Sequence, residues 1–206
     1  MGLYDTDDGV DRYIEMCAGA DGREHVERLK QLLPEGAQVL ELGMGPGADF
    51  ELLRNHFSVL GTDTSFVFLE RMQDKRPGAD LLELDARTLA TTRTFDGIYS
   101  NKVLHHLTRA ELEASFARQL DRLLPGGVAL HTFWYGACAP EEKAGMLFTY
   151  YTEEGLAALV PDGLTVESSR RYTELEADDS IELVLRRPRA PGRVSVRGSL
   201  RGPGAG

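Results

Sequence analysis

Val39-Leu-Glu41-Leu-Gly43-Met-Gly45-Pro-Gly47 is the stretch that decides how this chain is read. A short apolar run reaches an acidic residue, Glu41, and then breaks into glycines at every second position. Glycine has no Cβ, so such a loop takes positive φ values and lets a ligand lie against bare backbone. A buried strand that breaks into a glycine loop and continues as a helix is the opening of a nucleotide-binding α/β domain. Glu41 narrows this further. A loop that only cradled phosphate would not favour a carboxylate there, whereas one that holds a cationic or hydroxyl-rich ligand would.

Strands and helices alternate outward from this loop. Residues 10–33 carry apolar side chains at helical spacing (Val26, Leu29, Leu32, Leu33) with a break at Gly19–Gly22, which predicts two helices. Strands are predicted at Gln38–Leu42, Ser58–Thr62, Ala79–Leu84, Phe95–Ser100 and Val128–Phe133, with helices at Asp49–His56 and Phe66–Lys75. Thr108-Arg-Ala-Glu111 is a capping box, so a helix runs from Arg109 to about Leu124, where Pro125-Gly126-Gly127 ends it. Thr152 caps a helix over Glu153–Val160, with two carboxylates in its first turn. The strands Thr165–Tyr172 and Ser180–Arg186 are separated by a short acidic turn and pair as an antiparallel hairpin. The fold class is therefore α/β: a Rossmann-like, seven-stranded, mostly parallel sheet with helices on both faces and an antiparallel C-terminal hairpin. Residues 1–36 form an N-terminal helical cap and 37–187 the main domain. Residues 188–206, dominated by Pro, Gly and Arg, form a disordered basic tail.

Composition removes several classes of function. A chain of 206 residues with 42% hydrophobic and 27% charged residues suits one globular domain with a full core. A formal net charge of -10 argues against binding nucleic acid, which needs a basic face. No apolar run approaches the roughly 20 residues that span a bilayer, so no membrane association is expected. Cys17 and Cys138 form no disulfide framework, which makes a reducing cytoplasm the expected compartment. No His, Cys or Asp cluster has metal-ligand spacing, so no metal is expected. Nothing in the composition speaks to oligomeric state.

The chemistry lies at the strand ends. Asp63 follows Gly43 by 20 residues and ends the second strand, where a carboxylate accepts hydrogen bonds from ribose hydroxyls. Asp85, in Leu82-Glu-Leu-Asp85-Ala86, ends the third, where an acceptor reads an exocyclic amine. Asp96 opens a strand at the far edge and is expected to be structural. With Phe95-Asp-Gly-Ile-Tyr-Ser100, Leu104-His105-His106-Leu-Thr108 and Leu123-Leu-Pro-Gly-Gly127, this order of motifs resembles a class I S-adenosylmethionine-dependent methyltransferase over about residues 37–187. The resemblance implies S-adenosyl-L-methionine as cofactor, methyl transfer as the activity and a small molecule as acceptor. It assigns the cofactor to Gly43, Gly45, Gly47, Asp63, Thr64, Asp85 and Ala86, with Asn101 near the methionine end and Glu41 organising the loop or the ligand's amino group indirectly.

Methyl transfer from a sulfonium is an in-line displacement, so alignment supplies most of the acceleration. A base is needed only where the acceptor must lose a proton, and His105 and His106 are the candidates. Tyr4, Tyr13, Trp134, Tyr135 and Tyr151 are candidates for the acceptor pocket. Two other readings stand beside this one. Gly43-x-Gly45-x-x-Ala48 also fits a loose dinucleotide fingerprint, as in a dehydrogenase, although no Tyr-x-x-x-Lys pair with a supporting Ser accompanies it. A non-catalytic, cofactor-binding sensor or partner domain would carry the same motifs.

Overall fold

The computed structural model describes residues 4–189 except 5, 18, 20 and 144; the basic tail from residue 190 lies outside the described residues. Its core is a seven-stranded sheet in the order β3-β2-β1-β4-β5-β9-β8. The strands are β1 (Gln38–Leu42), β2 (Ser58–Asp63), β3 (Leu81–Glu83), β4 (Phe95–Ser100), β5 (Leu123–Trp134), β8 (Thr165–Tyr172) and β9 (Ser180–Arg186). The first five are parallel, while β9 runs antiparallel to β5 and β8 antiparallel to β9. This is the expected Rossmann-like architecture.

The two faces of the sheet follow from the two-residue side-chain period of a strand. On one face Val39, Tyr99, Leu130 and Val184 pack under α2 (Arg23–Leu32), α3 (Ala48–Leu53) and α4 (Phe66–Lys75), through Leu29, Phe50, Leu53 and Met72. On the other, Leu40, Ile98, Ala129 and Leu183 pack under α5 (Arg109–Arg122) and α6 (Glu153–Ala157), through Leu112, Phe116 and Leu156. Each such fully buried Leu or Phe contributes about 1.5–3 kcal/mol over its exposed state. The first helix, α1 (Asp7–Met16), buries only Gly9 and Val10 and lies against α4.

Local chemistry sets the element ends. The capping box at Thr108 is formed: the Glu111 N–H donates to Thr108 Oγ1 at 3.3 Å, and the Thr108 N–H donates to Glu111 Oε2 at 2.9 Å. The acidic turn between β8 and β9 closes on Asp179, whose carboxylate accepts the N–H groups of Glu174, Leu175 and Glu176, each at 2.9 Å.

Several elements differ from those predicted. Helix α3 stops at Leu53, short of His56. Helix α5 ends at Arg122 and β5 begins at Leu123, because Leu123 already pairs with Phe95 and a register shift before Gly97 absorbs the following turn. Strand β3 is limited to Leu81–Glu83, at the sheet edge beside β2 alone. Helix α6 stops at Ala157, ahead of Pro161. The connection after β5, expected to be irregular, contains a separate hairpin of β6 (Glu141–Lys143) and β7 (Met146–Phe148). Strands this short carry no readable alternation.

Candidate active site

The chain runs from β1 through α3 to β2 and through α4 to β3, then returns to lay β4 against the other side of β1. Loops leaving β1 and β4 therefore diverge, and the crevice between them at the carboxyl ends is where open α/β sheets bind ligands. A cavity of about 310 Å³ lies there, at the lower end of the ~300–1,000 Å³ usual for small-molecule sites.

The glycine loop forms one wall. Gly43, Gly45 and Gly47 have φ of +66°, +51° and +83°. Gly47 is strained to replace because its backbone is left-handed; a Cβ would also fall 1.9 Å from Met72 Cε, the movable end of a flexible side chain. Asp63 ties this loop to β2. Its carboxylate accepts the Gly45 N–H at 2.9 Å and the Ser65 N–H at 2.8 Å, and Ser65 in turn caps α4. Burial raises the Asp63 carboxyl above its ordinary value, opposed by those backbone donors.

Gly43, Gly45, Asp63, Thr64, Asp85 and Ala86 all line the cavity. Asp85 is gripped by Arg87: the guanidinium donates to both carboxylate oxygens at 2.6–3.0 Å, and the Arg87 N–H donates at 2.8 Å. Those hydrogen bonds hold the Asp85 carboxyl below its usual range. A buried relay fixes the next residue. Ser100 Oγ donates to His131 Nδ1 at 2.8 Å, and His131 Nε2 donates to Gln119 Oε1 at 2.7 Å. Gln119 Nε2 donates to Ser115 Oγ at 3.2 Å, and Ser115 Oγ donates to the Ala86 carbonyl at 2.6 Å.

Glu41, Gly47 and Asn101 lie outside the cavity lining. Glu41 is 2% exposed with one carboxylate oxygen unpartnered, and burial, then Asp49 and Asp63, push its carboxyl well above the ordinary range. Asn101 Nδ2 donates to Asp49 at 3.0 Å and its Oδ1 accepts from Thr132 at 2.6 Å. Asp49 also accepts the Tyr99 hydroxyl at 2.8 Å and the Gly22 N–H at 2.6 Å. Gly22 is a close approach: a Cβ would fall 2.4 Å from Asp49 Oδ2 and 2.3 Å from Tyr99 Oη. The segment ahead of α2 is thereby docked beside the glycine loop.

The two adjacent histidines part company. His106 lines the cavity, and its Nδ1 donates to the Leu147 carbonyl at 2.7 Å, which leaves Nε2 as the unprotonated nitrogen. His105 is 2% exposed, lies outside the lining, and neither ring nitrogen has a partner. Burial lowers the pKa of both.

The candidate pocket aromatics divide in the same way. Tyr4 and Tyr13 line the cavity edge to face, ring centroids 5.1 Å apart, and the Tyr4 hydroxyl donates to Met146 Sδ at 2.8 Å. Trp134, Tyr135 and Tyr151, expected in an acceptor pocket, are not among the residues that line this cavity. Each instead carries a cation on its ring: Lys102 Nζ at 3.5 Å from Trp134, Arg171 at 3.8 Å from Tyr135 and Arg109 at 4.9 Å from Tyr151. Sequence reasoning passed over Lys102 and Arg87 in the lining, and nothing in their neighbours marks them. It passed over Ser115 and Gln119 as well, although polar residues sharing a helical stripe with Leu112 and Phe116 are a legible sign of a buried network.

Comparisons with known proteins point the same way. Residues 39–127 match the family model described as a methyltransferase domain. The chain is similar to trans-aconitate 2-methyltransferase of Variovorax paradoxus, 38% identical over 100 residues, covering 47% of this chain and 38% of that protein. It is 32% identical over 94 residues to the enzyme of the same name from Rhizobium rhizogenes, covering 44% and 36%. The match thus spans little more than a third of these curated relatives. Among solved structures it resembles 1,6-didemethyltoxoflavin-N1-methyltransferase of Burkholderia thailandensis, bound to 1,6-didemethyltoxoflavin and S-adenosylhomocysteine (TM-score 0.73, 22% identity, 86% of this chain and 83% of that one). The N-methyltransferase NodS of Bradyrhizobium japonicum, in complex with S-adenosylhomocysteine, aligns at TM-score 0.67 with 18% identity over 91% of this chain and 100% of that one.

Proposed function

We propose that this chain, which matches the methyltransferase-domain family model over residues 39–127, binds S-adenosyl-L-methionine and transfers its methyl group to a small-molecule acceptor. One observation carries the reading: the left-handed glycine loop, the Asp63 carboxylate and the Asp85–Ala86 loop converge on one cavity at the switch point between β1 and β4. The residues fit the cofactor. Gly43 and Gly45 offer bare backbone, Asp63 is in place for ribose hydroxyls, and Asp85 with Ala86 for the adenine edge. When bound, the cofactor supplies a methyl group on a sulfonium, an activated leaving group.

The chain's own part is to bind, align and exclude water. Asp63 couples ribose recognition to loop shape, since the same carboxylate holds the Gly45 N–H. The relay from His131 to Ala86 keeps the adenine loop in register with β4 and β5. Tyr4, Tyr13 and Met146 cover the cavity. His106 presents Nε2 as proton acceptor for a hydroxyl or amine acceptor, its tautomer set by the Leu147 carbonyl. His105, the second candidate base, packs against it with ring centroids 3.9 Å apart and is not among the residues that line the cavity. Among the described residues no helix is long and apolar enough to cross a membrane. A cytoplasmic location, and an acceptor that is not nucleic acid, are part of the same proposal and rest on the reduced cysteine pair and the net charge of -10.

Calorimetric titration with S-adenosylmethionine, S-adenosylhomocysteine and NAD tests the cofactor, with Asp63→Ala as control. Binding of the two adenosyl ligands and not NAD is expected; binding of neither adenosyl ligand overturns the proposal. Methyl release over a panel of small acids, amines and phenols then separates an enzyme from a cofactor-binding domain.

A further inference from the structure

We infer that Lys102 is the residue that selects the acceptor, by holding an anionic group of it at the carboxyl ends of β4, β5 and β9. The inference rests on the cofactor assignment above, because Lys102 shares the cavity with the cofactor residues.

The cavity lining holds two cations, and they are in opposite states. Arg87 is spent on Asp85, with three guanidinium contacts at 2.6–3.0 Å. The Lys102 ammonium has only neutral partners in hydrogen-bond range: Ser180 Oγ at 2.6 Å and the Phe133 carbonyl at 3.1 Å, with the Trp134 ring beneath it at 3.5 Å. An ammonium has three donors, so one is left over. Glu174 stands at 4.0 Å, an ion pair without a direct hydrogen bond. The Lys102 side chain is only 15% exposed, so this is a largely desolvated positive charge that, among the described residues, no carboxylate meets within hydrogen-bond distance, an arrangement that costs stability unless something repays it. Burial brings its pKa down to about 8, against the pull of Glu174 and Asp179, so it remains mostly charged at neutral pH.

The backbone supports the same conclusion. Lys102 has φ +53°, a left-handed conformation that is uncommon for a residue with a Cβ, and its N–H is held by Thr132 Oγ1 at 2.9 Å. The turn is thus built to aim this side chain. The spare donor of the ammonium is what an acceptor would meet on this side of the site. A small carboxylate or phosphate matches it; a cationic or purely apolar acceptor does not.

A purely structural lysine, bracing β5 to β9, is the competing explanation, and the two separate in binding. Trp134 is the single tryptophan of the chain and lies under the ammonium, so its fluorescence reports on this position. The protein saturated with S-adenosylhomocysteine is titrated with trans-aconitate, benzoate and inorganic phosphate, and with trimethyl trans-aconitate as the neutral control. At least one anion is expected to shift the emission and to bind tenfold or more tightly than the neutral ester. Lys102→Met should lose that affinity tenfold or more, and Lys102→Arg should retain it within about threefold. S-adenosylhomocysteine affinity, read by calorimetry, should be the same in all three proteins. Equal binding of the ester, undiminished anion binding by Lys102→Met, or no response to any anion would overturn the inference while leaving the cofactor assignment intact. Loss of S-adenosylhomocysteine binding by the wild-type protein would remove both. The comparison of anion with ester uses wild-type protein alone, so it holds even if Lys102→Met does not fold.

Discussion

At the ends of β2 and β3 the carboxylates at the sheet's carboxyl edge face a cavity, whereas over β5, β8 and β9 the polar side chains mostly face one another. Asp63 and Asp85 are fixed by the Gly45 N–H and by Arg87, and both still line open space. Across the sheet, Arg171 covers Tyr135, Arg109 covers Tyr151, and Glu182 is hydrogen-bonded by His25 and Arg170 at 2.6–3.1 Å. The first region is organised around a cavity; the second is organised around its own side chains. Lys102 sits at the seam, reaching the cavity while its head group lies among the aromatics. A polar residue near a site is therefore a candidate for function only where its hydrogen bonds leave something over.

The largest expected effect tests the open half. Asp63→Ala removes an acceptor for ligand hydroxyls and strands the Gly45 and Ser65 N–H groups, so S-adenosylhomocysteine affinity should fall by about 3 kcal/mol, roughly 100-fold. Calorimetry reads this directly, and a loss under threefold would mean that the carboxylate serves the loop alone. Next is the proton acceptor. His106→Gln should lower kcat by about 100-fold for hydroxyl or amine acceptors, with cofactor affinity unchanged. For a carboxylate acceptor, which gives up no proton, the same variant should stay within a few-fold. A uniform loss across both classes would make His106 a packing residue.

The buried relay behind Ala86 should respond to pH. His131 is fully buried and neutral, its pKa lowered to about 3 by burial. Its unfolded value lies near 6.5, so between those limits the unfolded chain binds the extra proton. The stability contributed by the neutral ring is therefore whole above pH 6.5 and is lost as pH falls. Unfolding free energy should drop by about 2 kcal/mol from pH 7 to pH 5 through this group. Denaturant titration at both pH values checks it, and His131→Asn should flatten the dependence. The smallest effect tests the closed half: Tyr135→Leu should cost about 0.5–1 kcal/mol of stability by removing the Arg171 contact. Cofactor affinity and acceptor KM should not move; a tenfold change in either would return Tyr135 to the pocket.

The cofactor half was legible because its requirements are local. Gly43, Gly45 and Gly47 must adopt positive φ, and Asp63 ends the strand beside β1, so chain order alone brings them together. Thr108 with Glu111 marks a helix start for the same reason: the partners are three residues apart. The aromatic half was less legible for the opposite reason. Trp134, Tyr135 and Tyr151 sit next to the site in sequence, but whether an aromatic ring lines a cavity or carries a guanidinium depends on which cation the fold delivers to it. Arg171 comes from β8 and Arg109 from the start of α5. The β6–β7 hairpin was missed as well, and with it the Leu147 carbonyl that sets the His106 tautomer.

By itself, then, the amino-acid order determined the alternation of strands and helices, the glycine loop and the carboxylates at the ends of β2 and β3. Periodicity, caps and left-handed glycines are properties of a few consecutive residues. Only the tertiary structure decided which polar groups were left unsatisfied. His105 and His106 are neighbours in the chain with opposite fates, and Lys102 acquires meaning only when Ser180, Phe133 and Trp134 are placed around its ammonium. Hydrogen-bond satisfaction is a count of partners in space, and strands β5 and β9 supply those partners from residues 31–78 positions away in the chain.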